Sequence, residues 1–198
     1  MLNLNRKSLQ LELDDFFEQI NNGGIRISKQ AFSQARQNLS PEAFKILFRE
    51  IVKVFYTAED LKTYRGYRLS AIDGTTLELP NNAKLRQAFG AAINTNSQVA
   101  RARVSCLYDV ENQIMIDTQI ARYDHTEKDL AYQHIEALLK YGLKNDLILF
   151  DRGYPSKELI AKLYKAKINF LMRVSHYFLN EVRQVKEADK TVEFQYKG

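Results

Sequence analysis

The feature that most constrains the fold is a change in the spacing of apolar residues after residue 65. Before it, apolar side chains recur at helical spacing, as at Leu9, Leu13 and Phe16. After it, apolar and polar side chains alternate, which is typical of strands. The sequence therefore predicts a small all-helical unit over 1–65 and a β-containing core over 66–175.

Start and stop signals divide the helical unit into three helices. The run "NNGG" at 21–24 stops the first helix. Ser28 has the position of an N-cap for the second, and Ser40 followed by Pro41 begins the third. The amphipathic pattern leaves two roles open for this unit: a helix-turn-helix that reads DNA, or a packing domain that buries one face.

The core contains five predicted strands and two predicted helices. The strands are expected at 69–79, 100–108, 114–120, 147–150 and 169–174, with helices beginning after Thr126 and Ser156. The stretch "FGAAINTNS" at 89–97 is predicted to be a loop. Hairpin-linked strands followed by right-handed βαβ crossovers fit few topologies. We predict an α/β fold, a ribonuclease H-like mixed five-stranded sheet with helices, preceded by the helical unit.

Two aspartates occupy unusual places in this predicted sheet. Asp73 lies inside the first strand beside Gly74, and Asp151 ends the fourth strand. In a ribonuclease H-like sheet these strands are parallel neighbours, so both carboxylates meet at one edge. Such a pair suits Mg²⁺ or Mn²⁺ and metal-assisted phosphodiester chemistry. Taken singly, Asp151 is also a typical turn former, and Asp73 with Gly74 a typical bulge.

Basic residues give a second, weaker signal. The net charge is +5, which permits nucleic-acid binding without requiring it. Two interpretations stay open for these side chains, a solvated surface or contacts to the DNA backbone. The residues concerned are Lys84, Arg86, Arg101 and Arg103.

Several classes of site are disfavoured. The single cysteine, Cys106, rules out an internal disulfide and a cysteine-built zinc site, and its strand position predicts a buried thiol. The histidines His125, His134 and His176 share no metal-ligand spacing, and His134 is expected to be a satisfied surface or boundary histidine in the middle of its helix. Apolar runs are too short to span a membrane, and the first residues lack the apolar core of a signal peptide.

Two motifs resemble a known family. "IDGTTLELP" and "LILFDRGYPS" are similar to the first and second acidic blocks of DDE transposases of bacterial insertion sequences, in the family-four group. The stretches 26–44 and 169–174 also resemble that group. The resemblance implies a ribonuclease H-like core, a divalent metal and cut-and-paste DNA chemistry in the bacterial cytoplasm, at the nucleoid. It makes Asp73 and Asp151 the first two catalytic and metal-binding acids, with Thr75 and Arg152 positioning DNA.

One departure from the family is expected to matter. The family's third acid is a glutamate in a Tyr…Arg…Glu…Lys block, and no such block occurs here. Glu181, Glu187 and Glu193 lie in 176–198, which resembles the start of a β-rich insertion. We therefore expect a truncated or split transposase, inactive alone, whose partners are double-stranded element ends and either further copies of itself or a C-terminal fragment. The alternatives are a non-catalytic DNA-binding remnant or inhibitor of transposition, and a standalone nuclease of similar fold.

Overall fold

The structure is a computed structural model that describes residues 8–21, 24, 26–57, 60–94, 97–142 and 144–195. The chain divides into two compact units, Met1–Val54 and Phe55–Gly198. Among the described residues, every helix is too short or too polar to span a lipid bilayer.

Three helices make up the first unit, as the sequence predicts. They are α1 (Leu9–Asn21), α2 (Lys29–Gln37) and α3 (Pro41–Tyr56), whose last two residues belong to the second unit. Ser28 caps α2 by accepting a hydrogen bond from the backbone N–H of Ala31. In the stop signal "NNGG" at 21–24, the two middle residues, Asn22 and Gly23, lie outside the described residues.

The second unit carries the sheet. Its elements in chain order are β1 (Arg68–Glu78), α4 (Ala83–Phe89), β2 (Ala91–Asn94), β3 (Ser97–Asp109), β4 (Ile114–Arg122), α5 (Glu127–Tyr141), β5 (Asp146–Phe150), α6 (Lys157–Lys165), β6 (Asn169–Met172) and α7 (Asn180–Arg183). The strand order is β2-β3-β1-β5-β6, and β4 also pairs with β3. Strands β1, β5 and β6 are parallel, whereas β3 is antiparallel to β1, β2 and β4. The described part of 176–195 contains α7 and no strand.

This order confirms the predicted mixed α/β fold, with β1 central and parallel to β5. The sheet has six strands rather than five, because β2 lies in the stretch predicted to be a loop. Helix α4, capped by Asn82, was also missed. Small residues in "GAAIN" give little alternation to read, so β2 is defined by backbone pairing with Ser97–Ala100.

The buried face of strand β3 changes from one side of the sheet to the other along the strand. Ala100 and Ala102 are buried in its first half, whereas Ser105 and Leu107 are buried in its second half. Neighbouring strand residues point to opposite faces, so burial changes face between these pairs. The prediction that Cys106 is buried is therefore wrong, because its thiol lies half-buried on the other face.

Helix α5 is the best-defined helix of the second unit. Thr126 and Asp129 form a capping box, in which Thr126 Oγ1 accepts from the Asp129 N–H and Asp129 Oδ2 accepts from the Thr126 N–H. At the other end Gly142 takes a left-handed conformation, with φ of 66°. The helix start after Thr126 that the sequence predicts is confirmed.

A buried ion pair joins the starts of β1 and β5. The Arg68 guanidinium donates from Nε to Asp146 Oδ1 at 2.7 Å, and its Nη2 contacts the same oxygen. Both side chains are more than nine-tenths buried. Burial raises the pKa of Asp146, and the Arg68 charge opposes that rise. Arg68 also lies 4.7 Å over the ring of Tyr56, whose hydroxyl donates to Asp109 at 2.7 Å.

We expect Arg68→Met to lower the free energy of unfolding by about 3–5 kcal/mol, because it leaves the Asp146 charge buried and unpaired. The double variant Arg68→Met/Asp146→Leu should recover most of that loss. Urea denaturation measures both. The exposed pair of Lys190 and Glu187 is the matched control, since Lys190→Met should leave the free energy of unfolding nearly unchanged. Equal losses in the single and double variants would contradict this account.

We expect Thr126→Ala to lower the free energy of unfolding by about 1 kcal/mol, because α5 loses its cap, whereas Thr126→Ser should keep it. The hydrogen bonds from Thr126 hold the pKa of Asp129 below its usual range. The stabilisation from this carboxylate is therefore complete above its normal pKa and is lost as pH falls through the lowered one. Thr126→Ala should flatten that acid-side loss, as measured by denaturation between about pH 2 and 5.

Candidate active site

Strand pairing places Asp73 beside Asp151. The last paired residues of β1 and β5 are Ile72 and Phe150, and the two aspartates are the next residues along these parallel strands. Both side chains are exposed and share one face of the sheet. Strand β5 ends at Phe150, so the sheet opens on this side of β1 at the level of the aspartates.

In each aspartate, a backbone N–H group fixes one carboxylate oxygen, and the other oxygen stays available to a ligand. Asp73 Oδ1 accepts from the Gly74 N–H at 2.8 Å, and Asp151 Oδ1 accepts from the Arg152 N–H at 2.7 Å. Among the described residues, neither Oδ2 has a hydrogen-bond or ion-pair partner. Two oriented carboxylates with free oxygens suit a hard divalent cation such as Mg²⁺ or Mn²⁺.

A glutamate not singled out by the sequence lies next to these aspartates. A Cβ placed on Gly74 would lie 3.1 Å from Glu127 Cγ, and one placed on Gly153 would lie 3.8 Å from Glu127 Oε2. The Glu127 side chain thus fills the space beside Gly74. The sequence marks the position of Glu127 only indirectly, through the two glycines that follow the aspartates: Gly74 comes directly after Asp73, and Gly153 comes two residues after Asp151.

Arg103 and Arg101 pair with carboxylates. Arg103 Nη1 lies 3.1 Å from Glu127 Oε1, and Arg101 Nη2 lies 3.5 Å from Glu78 Oε2. The register of β1 and β3 places both arginines on one face, as the alternation predicts. Arg103 therefore belongs to the surroundings of Glu127.

The other residues expected at DNA are spread over three elements. Thr75 is exposed on β1, two residues beyond Asp73 on the same face. Lys84 is exposed on α4, and Arg86 donates to Asn81 Oδ1 at 2.7 Å. Arg152 is exposed directly after β5. The structure brings Thr75 and Arg152 near the aspartates and sets Lys84 and Arg86 on a separate helix.

A buried polar network supports the strand that bears Asp73. His134, on α5, is completely buried and not near the surface as expected. Its Nδ1 lies 2.7 Å from Asp117 Oδ2 and its Nε2 lies 3.0 Å from Ser105 Oγ. Ser105 Oγ in turn donates to the backbone carbonyl of Asp73 at 3.2 Å. The chain Asp117–His134–Ser105 therefore ties β4, α5 and β3 to β1 at the site.

Tyr154 places a hydroxyl under the same site. Its side chain is 1% exposed, and its hydroxyl has no hydrogen-bond partner among the described residues. Burial raises the pKa of Tyr154, and the negative charges of Glu127, Asp73 and Asp151 raise it further. The nearby Ser105 hydroxyl lowers the pKa of Tyr154.

Within the described residues, no three histidine, cysteine, aspartate or glutamate side chains are grouped closely enough to hold a metal ion. Glu181, Glu187 and Glu193 are all exposed, and Glu187 pairs with Lys190 at 3.2 Å. The donor set at the sheet edge is thus two aspartates with a glutamate nearby.

The fold and the paired aspartates define a class of protein, a ribonuclease H-like α/β domain with one aspartate on β1 and one directly after β5. The family model of the transposase DDE domain matches residues 64–197, which include both aspartates and more than half of the chain. The chain belongs to this transposase family.

One relative is the transposase InsG for insertion sequence element IS4 of Escherichia coli (strain K12), which is 25% identical over 136 residues. The match covers 68% of this chain and 30% of InsG. The matched segment therefore spans less than a third of the length of that relative.

Solved structures show a more distant resemblance. The Mos1 transposase paired-end complex with left transposon end has a TM-score of 0.37 at 14% identity, covering 84% of this chain and 55% of that one. The Drosophila P element transposase strand transfer complex has a TM-score of 0.37 at 10% identity, covering 82% and 45%. These scores are too low to position individual residues.

We expect Gly74→Ala to destabilise the second unit, because the new methyl group would press on Glu127. In a Glu127→Ala background the same change should cost less, with a coupling of about 0.5–3 kcal/mol. Urea denaturation of the four proteins measures the coupling. Gly153→Ala is the matched control, since its Cβ would meet Glu127 only at ordinary contact distance, 3.8 Å. Additive losses at Gly74 and Glu127 would mean that the two residues do not touch.

Proposed function

We propose that this chain carries the first two catalytic acids of a transposase, which cleaves and joins DNA at the ends of an insertion sequence. The observation that supports this most directly is the pairing of β1 with β5, which sets Asp73 beside Asp151. The match of the transposase DDE domain to the segment that contains both residues supports it further.

Asp73 and Asp151 would hold the divalent cations. A bound pair of Mg²⁺ or Mn²⁺ ions supplies charge stabilisation to the attacking and leaving oxygens of a phosphodiester. The chain's own contribution is to fix the ligands: backbone N–H groups orient one oxygen of each carboxylate, and Ser105 holds the Asp73 carbonyl. Such fixing matters because a misplacement of about 1 Å can cost about 100-fold in rate.

DNA would be bound chiefly through its phosphates. Lys84 and Arg152 are exposed, and their side-chain charges have no partner within the described residues. Arg86, Arg101 and Arg103 would have to leave their present partners to reach a phosphate. Thr75 and Arg152 lie near the aspartates and would position the scissile strand, so binding should weaken steeply as salt rises.

The remaining parts of the chain have proposed roles of their own. We assign DNA binding to the helical unit over 1–65 and the start of a β-rich insertion to 176–198. The third acid would come from polypeptide outside these 198 residues, in cis or on a partner chain. Function on the bacterial nucleoid, in the cytoplasm, follows from the DNA substrate. Because no three-ligand group lies within the described residues, a DNA-binding remnant or inhibitor is the second candidate function.

Strand cleavage tests this proposal. The substrate is a labelled DNA fragment that spans the gene for this chain and both flanks, with Mg²⁺ or Mn²⁺ added. The chain alone should leave the DNA intact, and adding the C-terminal segment of an intact relative should restore metal-dependent cleavage. Asp73→Asn or Asp151→Asn should abolish the restored activity, whereas Asp189→Asn, at an exposed position away from β1 and β5, should not.

Three results would change the proposal. Cleavage that survives both substitutions would exclude the two-aspartate mechanism. Cleavage by the chain alone, lost in Asp73→Asn, would show that the third acid lies within it. DNA binding without cleavage under every condition would favour the remnant or inhibitor.

A further inference from the structure

We propose that His134 is a positioning residue for Asp73: as an imidazolium, it directs the Ser105 hydroxyl to the backbone carbonyl of Asp73. The inference rests on the proposed function, because Asp73 is one of the two proposed catalytic acids. Its physical basis is separate from that function, since it follows from the hydrogens available to a buried chain of hydrogen bonds.

The Ser105 hydroxyl has a single hydrogen to donate. Its Oγ lies 3.2 Å from the backbone carbonyl oxygen of Asp73, which can only accept. The same Oγ lies 3.0 Å from Nε2 of His134. Because Ser105 gives its hydrogen to Asp73, the hydrogen between Ser105 and His134 has to come from Nε2.

The other ring nitrogen of His134 also faces an acceptor. Nδ1 lies 2.7 Å from Oδ2 of Asp117, and the side-chain amide of Gln119 donates to the same oxygen at 2.7 Å. An oxygen that faces two donors is typical of an ionised carboxylate, which accepts hydrogen bonds and donates none. Nδ1 and Nε2 therefore both carry a hydrogen, and the ring is an imidazolium paired with Asp117.

Burial couples this ion pair to the direction of the Ser105 hydroxyl. His134 is completely buried, and the side chain of Asp117 is 13% exposed. A buried charge is unfavourable unless it is paired and hydrogen-bonded, as the ring is here at both nitrogens. Loss of one proton would leave Nδ1–H on Asp117 and make Nε2 an acceptor. Ser105 would then donate to His134, and the Asp73 carbonyl would lose its hydrogen bond.

One peptide plane transmits this hydrogen bond to the carboxylate of Asp73. The carbonyl that Ser105 holds belongs to the peptide between Asp73 and Gly74, and the N–H of that peptide donates to Asp73 Oδ1 at 2.8 Å. A peptide group is planar, so its C=O and N–H turn together. The direction of the Ser105 hydroxyl therefore sets the N–H group that orients the Asp73 carboxylate.

Ionisable side chains that face α5 from its neighbours have partners of their own, so Asp117 is the charge in contact with the ring. The pairs are Arg103 with Glu127, Lys162 with Glu136, Arg68 with Asp146, and Tyr56 with Asp109. The hydroxyl of Tyr154 also lies near Ser105, and its raised pKa keeps it uncharged.

A serine, a histidine and an aspartate in this order of contacts also form the nucleophilic triad of many hydrolases. A nucleophile has to meet its substrate, whereas Ser105 is 1% exposed and donates to the backbone. The contact with Asp73 gives the three residues a different role, which is to hold one strand of the site.

Nuclear magnetic resonance of the purified chain tests the number of protons on His134. The chain contains three histidines, and the other two, His125 and His176, are exposed and serve as internal references. At about pH 5.5, below the ordinary pKa of a histidine, the ring nitrogens of His134 should both be protonated, as in the references. A His134 ring that is protonated on one nitrogen only at this pH would overturn the inference.

The carbonyl carbon shift of Asp73 reports the hydrogen bond from Ser105. This shift should change in Ser105→Ala, since the donor is lost. Ser70→Ala is the matched control, because Ser70 is buried on the same strand as Asp73 and its hydroxyl has no hydrogen-bond partner among the described residues. An unchanged shift in Ser105→Ala, or an equal change in both variants, would contradict the proposal.

Replacements of the other two residues separate donation from charge, with the fold of each variant checked by circular dichroism. His134→Gln keeps an amide N–H that can donate to Ser105, so the Asp73 shift should stay close to that of the wild type. Asp117→Asn removes the charge that pairs with the ring. His134 should then become neutral, and the Asp73 shift should move toward its value in Ser105→Ala.

Raising the pH of the wild-type chain until His134 loses a proton gives the same test without a substitution. The Asp73 shift should follow that loss, and in Ser105→Ala it should not. An Asp73 shift that stays constant while the ring loses its proton would show that His134 does not direct Ser105.

Mn²⁺ binding, followed by electron paramagnetic resonance of the free ion, distinguishes this inference from the proposed function. Ser105→Ala should raise the Kd for Mn²⁺ about tenfold, the lower end of the loss caused by removing an outer partner of a metal ligand, whereas Ser70→Ala should not. A changed Asp73 shift with an unchanged Kd would reject the positioning role and leave the cation site standing. A wild-type chain that does not bind Mn²⁺, or that binds it equally after Asp73→Asn, would reject the proposed function together with this role of His134.

Discussion

The register between β1 and β5 is the constraint on which the rest of the site depends. Arg68 pairs with Asp146 at the start of the two parallel strands, and both side chains are buried. Asp73 follows Arg68 by five residues, and Asp151 follows Asp146 by five residues. A slip of one residue would unpair two buried charges and at the same time turn one aspartate to the other face. The interaction that fixes the strands thus also aligns the acids.

The other side of β1 is held as firmly. Ser105 on β3 donates to the carbonyl of Asp73, and His134 links Ser105 to Asp117 on β4. Buried polar groups in such a network each have a partner, which makes a single arrangement favourable. Asp73 therefore sits on a strand that is fixed by hydrogen bonds from one neighbour and by parallel pairing with the other.

The acidic edge of the sheet carries negative charges that a positive charge has to neutralise. Three carboxylates, of Asp73, Asp151 and Glu127, lie near one buried tyrosine hydroxyl, whose pKa they raise. Arg103 is the cation that the chain itself supplies, through Glu127.

Local patterns in the sequence were enough for the helix caps at Ser28, Thr126 and Ser156 and for strands β1, β3, β4, β5 and β6, because caps and alternation depend on residues close in the chain. Long-range packing settled the rest. Strand β2 forms because its backbone pairs with β3, and His134 is buried because two strands bring Asp117 and Ser105 to it. Glu127 looked like an ordinary first residue of a helix. Its place beside Gly74 and Gly153 depends on how α5 packs on the sheet, which no local pattern encodes.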